Sequence, residues 1–423
     1  MKKRIQVFIG EAAIEAGELN FEIQGNRTLC SFAYSPLWLR HPDRFNLSPD
    51  LQLVEGHQFH KGESAFFRCF ADTEPDGWAR EVIRRAIRKE REAGGEKRGL
   101  QNDLDYLLGV SDRSRIGALR LQGDDGKFQW PDEARRGAPP IVELDRLLDA
   151  TRNVENDRET LEDLAYLRGS GTSLDGMRPK ASIIDTDGSL AIGKFPSVKD
   201  QHSIVHAEVL AMTLAAKAGL DVARARVENV RRRAGRRGAG RAKNPVTPVA
   251  VITRFDRENG GRVMYLSAHS LLLATRTTTL TYEDIAAAIR QYSNRAALDL
   301  RELWRRVTYN LLINNVDDHL KNHGFLHRGA GQWNLAPGFD INPFPDKDRE
   351  LKTAVTADLG GYATLDQMLD LHDTFGFTTR GDARKALARL VAAVGDWKDL
   401  AASLGMSDHD IDEIAPAFQH PEL

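Results

Sequence analysis

Residues 314–345, NNVDDHLKNHGFLHRGAGQWNLAPGFDINPFP, gather Asp317, Asp318, His319, Lys321, Asn322, His323 and Asp340 beside the apolar run LWRRVTYNLLI. Such a span is either a solvated connection or working chemistry. Metal binding, phosphate-ester cleavage and phosphoryl transfer all use these residue types. Phosphoryl transfer asks little covalent chemistry of a protein. It needs triphosphate charge neutralised, a bridging metal and an oriented acceptor. Asp317 is a carboxylate that can take a hydroxyl proton. Asn322 and Asp340 offer the hard oxygens that Mg2+ prefers. Asn322 follows Asp317 by five residues, the interval of the D-x-x-x-x-N catalytic loop of protein kinases. Asp318 adjoins Asp317, so either carboxylate is a candidate base; the five-residue interval favours Asp317.

The elements upstream must position the rest. TSLDGMRPKASIIDTDGSLAIGKFP reads as a loop containing Gly176, a strand over 181–184, a tight Asp187-Gly188 turn and a strand over 190–195. Asp-Gly between apolar strands is a strong hairpin signal. Backbone amides of the loop and Lys180 can cradle phosphate oxygens. Lys194, on the second strand, can neutralise α- and β-phosphates. The helix in SIVHAEVLAMTLAAKAG carries Glu208, which can hold Lys194, and closes at Gly219. Two strands, in VARARVENV and TPVAVITRF, lead through the connector TRFDR to a mostly helical remainder with one hairpin around GFLHRGAGQWNLA. A small sheet-rich lobe followed by a helical lobe is the layout in which a kinase holds ATP in a cleft.

The first third is mixed. KRIQVFIG and ELNFEIQGNRTLCSFAY read as strands, with a turn at Gly25-Asn26. A helix starts near Trp78, with Val82, Ile83, Ala86 and Ile87 on one face; Trp78 reads as core. DLDYLLGVSDRSRIGALRLQG reads as helix, loop and strand. Residues 123–140 are turn-rich and form a candidate linker.

Composition bounds the function. The 423 residues carry 59 basic and 61 acidic side chains, a formal net charge of -2, so a global polycation for nucleic acid is not indicated. The basic segment from Arg231 to Lys243 is the local exception: most simply a solvated loop, otherwise a phosphate-backbone contact. Cys30 and Cys69 cannot make a disulfide framework, which points to a reducing cytosol. The start reads as a strand rather than a signal peptide, and no apolar stretch is long enough for a membrane span.

SLDGMRPKASI, GKFP, HAEVLAMTLA, ITRFDR, NNVDDHLKNHGFL and LAPGFDINP, in this order, resemble the HipA family of bacterial serine/threonine kinases, toxins of type II toxin–antitoxin pairs. FADTEPDGWARE and LLGVSDRSRIGALR extend the resemblance to the N-terminal third. It implies an α+β, bilobal protein-kinase-like fold: an N-terminal α+β subdomain (1–150), a sheet-rich ATP-binding lobe (151–260) and a helical catalytic lobe (261–423). It implies Asp317 as catalytic base, supported by His319 and Lys321, with Asn322 and Asp340 on Mg2+. It implies Lys194 on ATP phosphates and the backbone from Thr253 to Phe255 against adenine. Ser173, seven residues before Lys180, matches the family's autophosphorylated loop serine, whose added charge beside the ATP phosphates would expel the loop. Partners implied are a protein substrate such as an aminoacyl-tRNA synthetase, and a small dimeric helix-turn-helix antitoxin through which DNA is reached. Two departures stand out. Asp175 lies where glycine is common, and the basic segment 231–243 is long for the family.

Two other readings fit part of this residue set. His319, His323 and Asp317 could serve a metal-dependent phosphoesterase, but that chemistry has no use for Lys180, Lys194 or Glu208. A catalytically weak kinase fold could act as a corepressor scaffold with a DNA-binding antitoxin. Singly, each motif has a bland explanation; their joint order and spacing favour the kinase.

Overall fold

Alternating burial builds the first sheet of the computed structural model, which describes residues 2–25, 27–75, 77–94, 102–129, 138–169, 176–231, 246–346 and 348–420. Ile5, Val7 and Ile9 of the strand Lys2–Ile9 are buried and their neighbours are not, the period of a half-buried strand. This strand lies between Ile14–Gln24 and Leu119–Gln122, antiparallel to both, and the sheet continues through Arg27–Tyr34 to His57–Phe59.

The chain divides into two compact units, residues 1–44, 51–200 and 226–264, and residues 45–50, 201–225 and 265–423. Besides the five-stranded sheet, the first unit holds a four-stranded one in the order Lys180–Ile184, Leu190–Lys194, Val246–Thr253, Ala225–Arg231. The helix Gly77–Gly94 buries Trp78, Val82 and Ala86 in one core with Ala181, Ile183, Ala191 and Val251 of that sheet. Two helices absent from the sequence reading, Leu144–Glu155 and Leu161–Gly169, complete this core through Leu147, Leu148, Leu164 and Leu167. Trp78 is thus a packing residue, as expected.

The hairpin of the second sheet reverses over residues 186–188. Asp185 N donates to Ser189 O at 2.8 Å, and Gly188 takes φ +82°. The loop is one residue longer than the tight Asp187-Gly188 turn expected, because Gly188 alone takes the left-handed position, as in three-residue hairpin loops.

The second unit is built on the helix Ala296–Leu312, whose Leu303, Trp304, Val307 and Leu312 are fully buried. Each such side chain contributes roughly 1.5–3 kcal/mol by leaving water. Two polar tips are satisfied in place. Trp304 Nε1 donates to Met368 O at 2.7 Å, and Tyr309 OH donates to Ala211 O at 2.6 Å on the helix Ile204–Lys217. The expected hairpin, Gly324–His327 with Trp333–Leu335, gains a third strand, Tyr265–Ser267. The sequence reading placed no strand at 265; three residues are too few to show a period.

Candidate active site

The central helix is made to stop where the polar residues begin. Asn314 takes φ +54°, a left-handed conformation that asparagine tolerates better than most residues and that ends many helices. Asn315 N donates back to Asn310 O at 2.9 Å, satisfying a carbonyl of the last turn. The chain then enters 316–323 with its backbone direction changed.

Two consecutive aspartates part company there. The Asp317 side chain is 56% exposed, with Oδ1 2.8 Å from Lys352 Nζ. Asp318 is buried, and its Oδ2 accepts from Tyr282 OH at 2.6 Å, Asn310 Nδ2 at 2.5 Å and His323 Nε2 at 2.9 Å. An ionised carboxylate only accepts, so His323 donates through Nε2. Burial alone would raise the Asp318 carboxyl, but His323 and Tyr282 hold it below its ordinary value. Burial and the Asp318 charge push Tyr282 well above its own. The proton therefore stays on the phenol and the charge on Asp318. Thr353 Oγ1 donates to Asp318 O at 2.8 Å, fixing its backbone too.

Asn322 is buried at the end of the short turn Leu320–Asn322. Its Nδ2 donates to Asp317 O at 3.3 Å, which leaves Oδ1 as the atom to meet a cation. His319 is half-buried and its carbonyl accepts from Asn322 N at 2.8 Å; Lys321 is exposed. The two histidines diverge in role, since His323 serves Asp318 and not Asp317.

Asp340 follows the hairpin at φ +56°. A non-glycine residue in this region is held there by its surroundings and is a pointer to function. A chain of amides ties it to the loop. Asn342 Nδ2 donates to Asp340 Oδ1 at 3.2 Å, Asn342 N to Asn315 Oδ1 at 3.3 Å, and Asn315 Nδ2 to Asn310 Oδ1 at 3.0 Å. Asn310 is the residue that donates to Asp318. Asn314 adds a second tie, donating Nδ2 to the carbonyls of Phe344 at 2.8 Å and Asp346 at 2.9 Å. The two carboxylate segments thus share one amide scaffold. Asp340 and Asn322 are oxygen donors of the kind Mg2+ accepts alongside phosphate and water.

In the first unit, Lys180 and Lys194 are direct register partners across the hairpin. Paired residues share a face, so the two lysines lie on one side of the hairpin. Lys180 is only 5% exposed, and a Cβ on Gly176 would sit 2.4 Å from its Nζ. The glycine at φ +131° therefore leaves room for the ammonium against the loop backbone. Thr253 ends its strand opposite Ala191, and Phe255 follows it half-buried. The connector between them is locked by charge. Arg254 donates to Asp256 at 2.5 Å and to Ser114 O at 2.6 Å, Arg257 donates to Asp256 at 2.6 Å, and Gly117 N donates to Asp256 Oδ2 at 2.7 Å. The SDRSRIG loop is thereby fastened under TRFDR. Glu208 belongs to the second unit, buried on Ile204–Lys217. Ser173, Asp175 and all of 231–243 except Arg231 lie outside the described residues.

Sequence reasoning missed Tyr282, Asn310, Lys352 and Asp256. The partners of the first three are 36, 8 and 35 positions away, and no local spacing signals them; Asp256 has Arg254 and Arg257 beside it, but its link to Gly117 spans 139 positions. Asn314 and Asn315 carried a signal, a polar pair closing an apolar helix.

A family model described as the HipA-like C-terminal domain matches residues 172–398, and one described as the HipA N-terminal domain matches residues 6–97. A Sinorhizobium fredii protein provisionally named a kinase is 26% identical over 343 residues, covering 73% of this chain and 71% of that one. A Haemophilus influenzae protein, also provisionally named a kinase, is 30% identical over 109 residues; the chain spans 32% of its length and the match covers 23% of this chain. Among solved structures, a chain in the Shewanella oneidensis toxin–antitoxin complex of HipA, HipB and operator DNA aligns over 98% of this chain and 95% of its own. Its TM-score is 0.64 at 16% identity, a likeness of fold, and the α+β kinase-like architecture expected is the one found. With the C-terminal domain model alone spanning more than half of its residues, the chain belongs to the HipA family.

Proposed function

We propose that the protein is an ATP- and Mg2+-dependent serine/threonine protein kinase and the toxin of a toxin–antitoxin pair. The observation that carries this reading is the loop 314–323 with Asp340: an exposed carboxylate at Asp317, an amide oxygen at Asn322 and a strained carboxylate at Asp340, joined by one hydrogen-bonded scaffold. Asp317 takes the acceptor hydroxyl's proton. Asn322 and Asp340 hold Mg2+, which when bound neutralises charge on the phosphates. His319 and Lys321 support the loop. Lys180, Lys194 and the backbone at Gly176 receive the phosphates, Glu208 steadies Lys194, and the backbone from Thr253 to Phe255 meets adenine. Ser173 is the autophosphorylation site.

A protein of the translation apparatus, such as an aminoacyl-tRNA synthetase, is the proposed substrate. A small helix-turn-helix antitoxin is the proposed partner, with DNA reached through it and touched directly only by the segment from Arg231 to Lys243. Among the described residues no helix is long and apolar enough to cross a membrane; the cytoplasm is the proposed location. Two observations favour transfer over phosphoester cleavage. His323 is committed to Asp318, and among the described residues no three acidic, histidine or cysteine side chains converge as a hydrolase's ligands would. A corepressor role is compatible with transfer.

The test is incubation with labelled ATP, MgCl2 and host lysate, followed by mass spectrometry of what is labelled. Label on a translation protein and on Ser173 is expected. No label in any protein would sink the kinase reading; label elsewhere than Ser173 would sink only the autophosphorylation.

A further inference from the structure

Lys352 is a second charged group beside Asp317, and no motif announces it. Its Nζ lies 2.8 Å from Asp317 Oδ1, and both side chains are more than half exposed. An ion pair so open to solvent contributes little to stability, and position 352 does not need it to be held. Lys352 N donates to Val316 O at 2.8 Å, Leu351 N to Gly361 O at 3.0 Å, and Tyr282 N to Ala354 O at 3.0 Å. Leu351 and Thr353 on either side are buried. The backbone is thus fixed from both flanks while the ammonium reaches into solvent at the carboxylate.

Resting on the kinase reading above, we infer that Lys352 is a catalytic residue that binds the phosphoryl group as it is transferred. The acceptor hydroxyl must sit on Asp317 for its proton to be taken, and the γ-phosphorus must approach that hydroxyl in line. A cation already in hydrogen-bond contact with Asp317 is therefore beside the incoming phosphoryl oxygens. An ammonium has three donors, so one can stay on Asp317 while another meets a γ-phosphoryl oxygen. In the step itself, the bond from the γ-phosphorus to the β–γ bridging oxygen breaks and its electron pair leaves with ADP. The hydroxyl oxygen bonds to phosphorus and its proton passes to Asp317. Lys352 keeps its own protons and offsets charge on the three equatorial oxygens. Inside the loop, the only lysine is Lys321, four residues from Asp317; the cation on Asp317 comes instead from a segment 35 residues away.

The experiment compares wild type, Lys352→Met and Lys352→Arg with labelled ATP, MgCl2 and dephosphorylated casein as acceptor, and follows ADP release as transfer to water. Lys352→Met is expected to lower the rate at saturating ATP by roughly a hundredfold, the effect of removing one donor aimed at developing charge. KM for ATP and the thermal melting curve should stay as in wild type, and Lys352→Arg should recover most of the rate. A Lys352→Met rate within threefold of wild type, or a loss explained by weaker ATP binding or an altered melt, overturns the assignment. So does a failure of Lys352→Arg to recover any rate. A wild type that labels neither casein nor any protein of the host lysate and releases no ADP overturns the kinase reading and this inference with it.

Discussion

Tyr282 donates its hydroxyl to Asp318 at 2.6 Å, while the preceding residue, Asp317, points its carboxylate into solvent. One buried anchor and one exposed acid therefore sit side by side. The anchor orients the backbone from which the acid projects, and substitutions at the two positions should separate stability from turnover.

Asp318→Ala leaves Tyr282 OH, Asn310 Nδ2 and the His323 ring without their acceptor. Removing one member of a buried charged cluster costs about 3–5 kcal/mol. Urea unfolding should show the midpoint falling with little change in slope, and transfer activity should fall with the fold.

Asp317→Ala removes an exposed side chain, so unfolding should move by no more than about 0.5 kcal/mol. Phosphoryl transfer should fall by roughly 10²–10⁴-fold, the span of a lost general base, with ATP binding retained in a titration. Transfer at the wild-type rate would remove Asp317 from the mechanism.

Asn314 does two jobs, and two variants divide them. Asn314→Gly keeps the left-handed backbone and loses the side-chain bonds to Phe344 and Asp346. Asn314→Ala loses those bonds and adds a left-handed penalty of about 1 kcal/mol. Alanine should therefore be the less stable of the two by thermal unfolding; equal melting would contradict the strained-cap account.

Asp256 gives a pH dependence. Burial would raise its carboxyl, but Arg254, Arg257 and the Gly117 amide bring it from 3.8 to about 2. The unfolded chain thus binds this proton more readily than the folded one. The group's contribution, about 2 kcal/mol, is complete above about pH 4 and is lost as pH falls toward 2. The stability gap between wild type and Asp256→Asn should narrow below about pH 4; a gap constant across the acid range would rule this out.

What was legible in the sequence was what is local. The Asp317–Asn322 interval lies within one loop, the 180–194 hairpin is marked by its turn, and the helix from Gly77 shows its buried stripe. Asp318 was visible but had no assignable role, because Tyr282 and Asn310 come from two helices whose meeting only packing decides. The strand Tyr265–Ser267 was hidden for the same reason: it is a strand because Gly324–His327 pairs with it. The helix Leu161–Gly169 was passed over although its Leu164 and Leu167 are in the core, since nine residues give a weak period.

The hairpin loop at 186–188 has a consequence for engineering. In a pleated ladder, side chains change face at every step, so a one-residue slip in pairing moves a whole strand's pattern to the other side. Loop length is what sets that pairing here, and Gly188 sets the loop. An insertion or deletion at this surface turn would separate Lys180 from Lys194 and drive one ammonium toward the side occupied by Ala181, Ile183 and Leu144. The turn carries neither lysine, yet it is the ruler by which the two ammonium groups are paired.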